Sequence, residues 1–370
     1  MAVKAGIHFS DLPHLDQVHD ATASLSVYAT RIPTGVDVSN VRKGLPKFTV
    51  VGHRGHGMNI LQSTDKRMKT FKENSILSFN KAADHPLDFI EFDVQVTKDD
   101  TPIIFHDNFI ISEENGNVVE KRVTDLTLDE FFSYGPQRAK DEVGKSLLRK
   151  SNGKIVRWDV EIDDHSCTLA EAFQKVNPCL GFNIELKFDD YVVYEQEYLI
   201  HVLQVILKVV YENAQERPVL FSSFQPDVAL LMKKLQHQYP VYFLTNGGNE
   251  TYDDVRMNSL EEAKNLAISG GLDGVVSEVK GIFRNPSVVR EIKESNLSLL
   301  TYGKLNNVPE AVHVQYLMGV EGVIVDLVEE ITSAVAGLKP GLEEGVQGKE
   351  KTDKIELSFL LNLISQVIQH

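Results

Sequence analysis

Polar and apolar residues alternate from Ile90 to Val96 in the run DFIEFDVQV. Phe89, Glu91, Asp93 and Gln95 fall on one face of a strand, and Ile90, Phe92, Val94 and Val96 on the other. The run GFNIELKF repeats the pattern, with Asn183, Glu185 and Lys187 opposite Phe182, Ile184, Leu186 and Phe188. A strand whose one face is wholly apolar is covered there by helices, so the acidic faces of both must look inward. Further short apolar runs, FTVVGH, PVLFSSF, VYFLT, DGVVS, LSLLTY and EGVIVD, alternate with amphipathic stretches such as ENSILSFNKAA, PDVALLMKKLQ, SLEEAKNLAISGG and PSVVREIKESN. This is the order expected of eight strand–helix units in an α/β barrel. In TLAEAFQKV, Thr168 is a helix cap with Glu171 three residues on.

The alternation breaks between about residues 108 and 166, where charged and glycine-containing stretches predict an irregular insertion after the second strand, with a short helix near Leu126 to Phe132. Residues 1–46 lack pattern and read as an extended segment, and residues 47–338 hold the barrel. Residues 339–370 read as a linker and a C-terminal helix with Ile355, Phe359, Leu363 and Val367 near one face. That helix is expected to pack on the barrel, with homodimerisation as the sharper alternative.

A hydrophobic content of 42% supports a sizeable core. The net charge of −15, from 38 basic against 53 acidic residues, argues against nucleic acid and against adhesion to anionic membranes. Two cysteines, Cys167 and Cys179, match no zinc spacing and fit a reducing compartment. No apolar run approaches the roughly 20 residues of a membrane helix, and the first forty residues lack the apolar centre of a secretory signal. A soluble intracellular protein is expected. Asp11, Asp16, Asp20 and Asp37 are unusual for a plastid transit peptide, which leaves cytosol and plastid both open.

The inward polar columns carry the chemistry. Two carboxylates on one buried face repel each other and cost several kcal/mol to desolvate unless a cation compensates. Glu91, Asp93 and Glu185 therefore read as an oxygen-only site for one divalent cation, Mg²⁺ or Ca²⁺. The plainer reading makes Glu185 and Lys187 a structural ion pair. VVGHRGHGMN places His53 and Arg54 directly after a strand, where α/β folds carry their active residues. PIIFHDN places His106 at the end of a run that pairs back on the acidic strand through residues 98–102. A metal, two imidazoles and two cations are the parts needed for phosphoryl transfer.

These segments, with KENSILSFNKA, VTDLTLDEF, CTLAEAF, LFSSFQPD and GVEGVIVDLVEEI, resemble the glycerophosphodiester phosphodiesterase family, metal-dependent hydrolases on a TIM (β/α)₈ barrel. The likeness runs from about Lys47 to about Leu338. Through FHDNFI, FLTNGG and TYGKLNN it points to small, soluble, single-barrelled plant members. The resemblance implies Glu91, Asp93 and Glu185 as metal ligands, His53 and His106 as the acid/base pair, and Arg54 and Lys187 on the phosphate. It gives Glu73, in KENS, a supporting place. Many bacterial members carry Trp-Thr-Val-Asn where this chain has Leu300-Thr301-Tyr302-Gly303, so Tyr302 would replace the Trp as a wall of the glycerol pocket. The implied reaction cleaves glycerophosphodiesters such as glycerophosphocholine and glycerophosphoethanolamine to sn-glycerol 3-phosphate and an alcohol, linking glycerol and lipid metabolism. Mg²⁺ is favoured over Ca²⁺ for a reducing compartment. The lone Trp158 falls in the insertion, so no aromatic cage for a quaternary ammonium is expected. Two other readings are a lyase resembling sphingomyelinase D and a barrel that binds without catalysis. The acidic surface and the lack of an interfacial apolar loop weigh against the first, and the full set of catalytic residue types against the second.

Overall fold

The computed structural model describes residues 48–336 apart from 140 and 152; the expected N-terminal segment (1–46) and the C-terminal linker and helix (339–370) lie outside the described residues. In chain order the strands are β1 (Thr49–Gly52), β2 (Phe89–Val96), β3 (Pro102–Ile104), β4 (Phe109–Glu114), β5 (Asn117–Arg122), β6 (Leu148–Ser151) and β7 (Lys154–Arg157). They continue with β8 (Gly181–Leu186), β9 (Val219–Ser223), β10 (Val241–Thr245), β11 (Gly274–Glu278), β12 (Ser298–Tyr302) and β13 (Gly322–Val325). Eight of these, β1, β2 and β8 to β13, form a parallel barrel that closes because β1 pairs with both β2 and β13. The β3 strand turns back antiparallel on β2, placing Ile104 opposite Val94, as the turn at residues 98–102 predicts.

Alternation along each strand sorts side chains into two layers. Val50, Ile90, Phe92, Val94, Ile184 and Val323 point out into the main core beneath the helices. Val51, Tyr242, Leu244, Val276, Leu300 and Ile324 fill the barrel interior, with Phe89 and Tyr302 packed against them. The helix Leu169–Lys175 opens with the Thr168–Glu171 capping box read from the sequence.

The insertion is ordered, contrary to the irregular loop expected. Strands β4 to β7 make a four-stranded antiparallel sheet of two hairpins, followed in sequence between β5 and β6 by the short helix Leu128–Phe132. Trp158 is not in a loose segment either. It is buried against Phe105 in a second core that joins the insertion to the strand carrying His106. The physical reason is that β5 and β7 are exposed on both faces and show no period-two signal.

Candidate active site

The β2–β8 register sets Asp93 directly beside Glu185, with Glu91 beside Asn183 one step below. Ligand atoms of Glu91, Asp93 and Glu185 lie within 4.8 Å of one another, and all three residues are buried. Glu91 Oε1 and Asp93 Oδ1 have no hydrogen-bond partner. Orphaned, buried carboxylate oxygens converging at this spacing fit a hard divalent cation, so the donor set matches the ion that the strand pattern called for. Burial, then the neighbouring Asp93, push Glu91 up to about 8. Burial likewise raises Glu185, opposed by Lys187 and reinforced by Asp93. Asp93 goes the other way: burial is outweighed by His106, Arg54 and Lys187, and its carboxyl stays below the usual range.

The chain leaves β1 through a tight turn in which Arg54 adopts φ 50° and Gly57 φ 112°. A Cβ on Gly57 would collide with the backbone carbonyl of Asp326, whose carboxylate accepts from Met58 N–H at 3.0 Å. This turn sets His53 Nδ1 2.7 Å from Asp326 Oδ1 and His53 Nε2 3.9 Å from Glu91 Oε2. Asp326 follows β13 and is itself fixed by Asn307, whose Nδ2–H donates to it at 2.9 Å. Burial disfavours a charged His53, but Asp326 outweighs it and the pKa is raised. Arg54 donates its backbone N–H to Glu91 at 3.0 Å and Nη1–H to Glu73 at 2.7 Å, with Nε 3.4 Å from Asp93.

His106 repeats the arrangement. Its Nδ1 lies 2.8 Å from Asp107 Oδ1, and its Nε2 lies 3.1 Å from Lys187 Nζ. A lysine ammonium can only donate, so Nε2 accepts and Nδ1 carries the proton, the neutral tautomer. Burial, then Arg54 and Lys187, hold His106 down to about 4. Lys187 also reaches Glu185 Oε1 at 3.1 Å. The ion pair of the plainer reading is thus present, within the acidic cluster rather than instead of it.

Tyr302 lies at the end of β12, packed edge-on against Phe224, with its hydroxyl donating to Asn246 Oδ1 at 2.5 Å. The loop after β8 holds two features that the sequence reading did not single out. Val193 is 98% exposed, and a cavity of about 390 Å³ opens beside Lys187, lined by Phe188, Val192, Tyr194 and Arg122. An exposed apolar loop therefore does stand near the site, contrary to the expectation that none exists. Asp326 and Asp107 were also missed as histidine partners. The strand-end rule that found His53 applies equally to Asp326, and Asp107 is adjacent in sequence to His106.

A parallel barrel with inward carboxylates, two aspartate-backed imidazoles and buried cations at one end of the strands has the parts of a phosphoester-cleaving barrel enzyme. Residues 53–330 match the model of the glycerophosphoryl diester phosphodiesterase family, and the chain belongs to that family and so to the phosphoric diester hydrolases. It is 59% identical over 340 residues to glycerophosphodiester phosphodiesterase GDPD2 of Arabidopsis thaliana, covering 88% of this chain and 91% of that one. It is 58% identical to the same plant's chloroplastic glycerophosphodiester phosphodiesterase GDPD1, over the full length of both. The fold superposes on a phosphodiesterase of Oleispira antarctica, solved with the product sn-glycerol 3-phosphate, at a TM-score of 0.56 and 17% identity, covering 78% of this chain and 97% of that one.

Proposed function

We propose that this chain hydrolyses small glycerophosphodiesters, glycerophosphocholine and glycerophosphoethanolamine among them, to sn-glycerol 3-phosphate and the free alcohol. The observation that carries this reading is the convergence of three buried carboxylates with two imidazoles and two cations on one barrel mouth. Glu91, Asp93 and Glu185 would hold one divalent cation, Mg²⁺ in preference to Ca²⁺, which would supply Lewis-acid stabilisation of charge on the phosphoryl oxygens. Lys187 and Arg54 place positive charge beside the same oxygens. His53 and His106 serve as the acid/base pair: one imidazole takes the proton of the attacking hydroxyl and the other protonates the leaving alkoxide. The attacker is water or the glycerol 2-hydroxyl; in the second case the cyclic phosphate formed is then opened by water to sn-glycerol 3-phosphate. Asp326 and Asp107 hold the two rings at Nδ1 and turn Nε2 toward the cluster, where that of His106 accepts from Lys187. Glu73 holds the Arg54 guanidinium, and Tyr302 walls the glycerol end.

Among the described residues, no helix is long and apolar enough to cross a membrane. The chloroplastic relative supports a plastid location over the cytosol. On this reading residues 47–338 form the barrel domain with its insertion near 108–166, and the net charge of −15 weighs against a nucleic-acid partner. The exposed Val193 and the adjoining cavity favour a second reading, action on lipid aggregates. Assaying sn-glycerol 3-phosphate and choline from glycerophosphocholine, beside headgroup release from phosphatidylcholine vesicles, separates the two. Fast soluble turnover with inert vesicles is expected; the reverse would favour the lipid reading.

A further inference from the structure

Arg149 lies on β6 of the insertion, far in sequence from every motif that marks the site, yet its guanidinium touches two arms of the catalytic cluster. Its Nη2–H donates to Asp107 Oδ1 at 2.8 Å, the same oxygen that receives His106 Nδ1. Its Nη1–H donates to Glu73 Oε2 at 3.0 Å, while the other oxygen of Glu73 receives Arg54. The guanidinium also lies 4.1 Å from the ring centroid of Trp158, where a cation is attracted to the π-face. Trp158 is anchored in turn: its indole N–H donates to Asn59 Oδ1 at 3.0 Å, and Asn59 N–H donates to Glu73. Arg149, Glu73, Arg54, Asn59 and Trp158 are buried, and Asp107 is partly exposed.

We infer that Arg149 is a positioning residue for the reaction, through which the insertion sheet sets both the His106 ring, by way of Asp107, and the Arg54 guanidinium, by way of Glu73. The inference rests on the reading of His106 and Arg54 given above. A planar guanidinium fork holds two carboxylates with N–H groups in fixed directions, whereas a lysine ammonium carries its donors on one rotating point and fixes no such geometry. Without the fork, Asp107 keeps His106 as its side-chain partner and Glu73 keeps Arg54 on Oε1 and the Asn59 N–H on Oε2, so the direct link that sets the two carboxylates relative to each other is lost. Removal of such outer partners lowers activity by about 10–100-fold in metal and acid/base sites.

The two arms predict a divided kinetic signature. Disturbing Asp107 acts on proton transfer and lowers kcat, whereas disturbing Glu73 and Arg54 acts on phosphate binding and raises KM. The test measures kcat and KM for glycerophosphocholine in Arg149→Ala, Arg149→Lys, Asp107→Asn and the double variant Arg149→Ala/Asp107→Asn, with His106→Ala as reference. Arg149→Ala should lower kcat by about 10–100-fold and raise KM. In the Asp107→Asn background it should still raise KM but lower kcat by less than about threefold more, since residues acting as a unit are not additive. Guanidinium ion added to Arg149→Ala should restore part of kcat, which a merely structural role would not allow. If Arg149→Ala does not fold, Arg149→Lys, which keeps the charge, decides by the same kcat and KM criteria. An Arg149 variant within about twofold of wild type in both constants, or kcat losses that multiply in the double variant, would overturn the inference. If His106→Ala itself leaves kcat unchanged, it is the histidine assignment that fails, and Arg149 is refuted as its positioner with it.

Discussion

His53 and Asp326 meet across the seam where the barrel closes, Nδ1 to Oδ1 at 2.7 Å, although 273 residues separate them in sequence. The β1–β13 pairing that joins the first strand to the last is what brings them together, with Gly52 beside Val325 one residue before each. The carboxylate of Asp326 fixes which ring nitrogen of His53 faces Glu91. Replacing Asp326 by Asn keeps the size but inverts the preferred tautomer, and should lower kcat by about 10–100-fold with little change in KM. A kcat within twofold of wild type would show that His53 needs no partner at Nδ1.

The two histidines should be separable by pH. His106 is held down to about 4 and is neutral above that, while His53 is raised above its ordinary 6.5 and stays protonated through the weakly acid range. On the proposed acid/base reading, this difference would make His106 the proton acceptor and His53 the donor. Activity should therefore be lost as pH falls through the lower pKa, where the base becomes charged, and again as pH rises through the higher, where the acid is spent. Each of His53→Ala and His106→Ala should lose about 10²-fold or more, and the pair together far less than the product. A rate profile in which His53→Ala leaves the alkaline limb intact would assign the acid elsewhere.

The carboxylate cluster makes a stability prediction. Burial, then the neighbouring Asp93, push Glu91 up to about 8 from its ordinary 4.5. Between those values the folded chain keeps a proton that the unfolded chain has released, so stability falls as pH rises through that window. A bound cation removes the repulsion and should raise the melting temperature more at pH 8 than at pH 6. Glu91→Gln should flatten this dependence. Identical melting curves at both pH values for chelated wild-type protein would contradict the account.

What the sequence disclosed and what it hid follow one rule. The inward columns Glu91–Asp93 and Glu185–Lys187 were legible because period-two alternation reports a face directly, and the β2–β8 register carries both columns to one place. The cap at Thr168 was legible because it is local. The insertion sheet was not, because its outer strands are solvated on both faces and leave no alternation to read. Arg149 and Trp158 were hidden for another reason: their partners Glu73 and Asn59 lie 76 and 99 residues away, joined by side-chain geometry rather than by pattern. The apolar tip at Val193 was overlooked because three neighbouring acids, Asp189, Asp190 and Glu195, make the stretch read as polar.

Choice of alcohol should be loose. Tyr302 at the end of β12 is packed on Phe224 and bonded to Asn246, and Trp158 is committed to Lys72 and Arg149 rather than open to a ligand ammonium. The kcat/KM values for choline, ethanolamine, glycerol and inositol diesters should lie within about 10–200-fold of one another. Tyr302→Ala should raise KM for all of them alike if it contacts the shared glycerol end. A change confined to one alcohol would move Tyr302 to the leaving-group side.

The requirement for a cation is the point on which the reading stands. Three buried carboxylates, two of them with an unbonded oxygen, are met among the described residues by Lys187, Arg54, the histidines and the Asn74 amide, which leave Glu91 Oε1 and Asp93 Oδ1 without a partner. The direct measurement is release of sn-glycerol 3-phosphate from glycerophosphocholine by protein stripped with EDTA, before and after Mg²⁺ is restored, in wild type and in Glu185→Gln. Activity should vanish on stripping, return with Mg²⁺ in wild type, and fail to return in the variant. Undiminished turnover by the stripped protein would contradict the account at its centre.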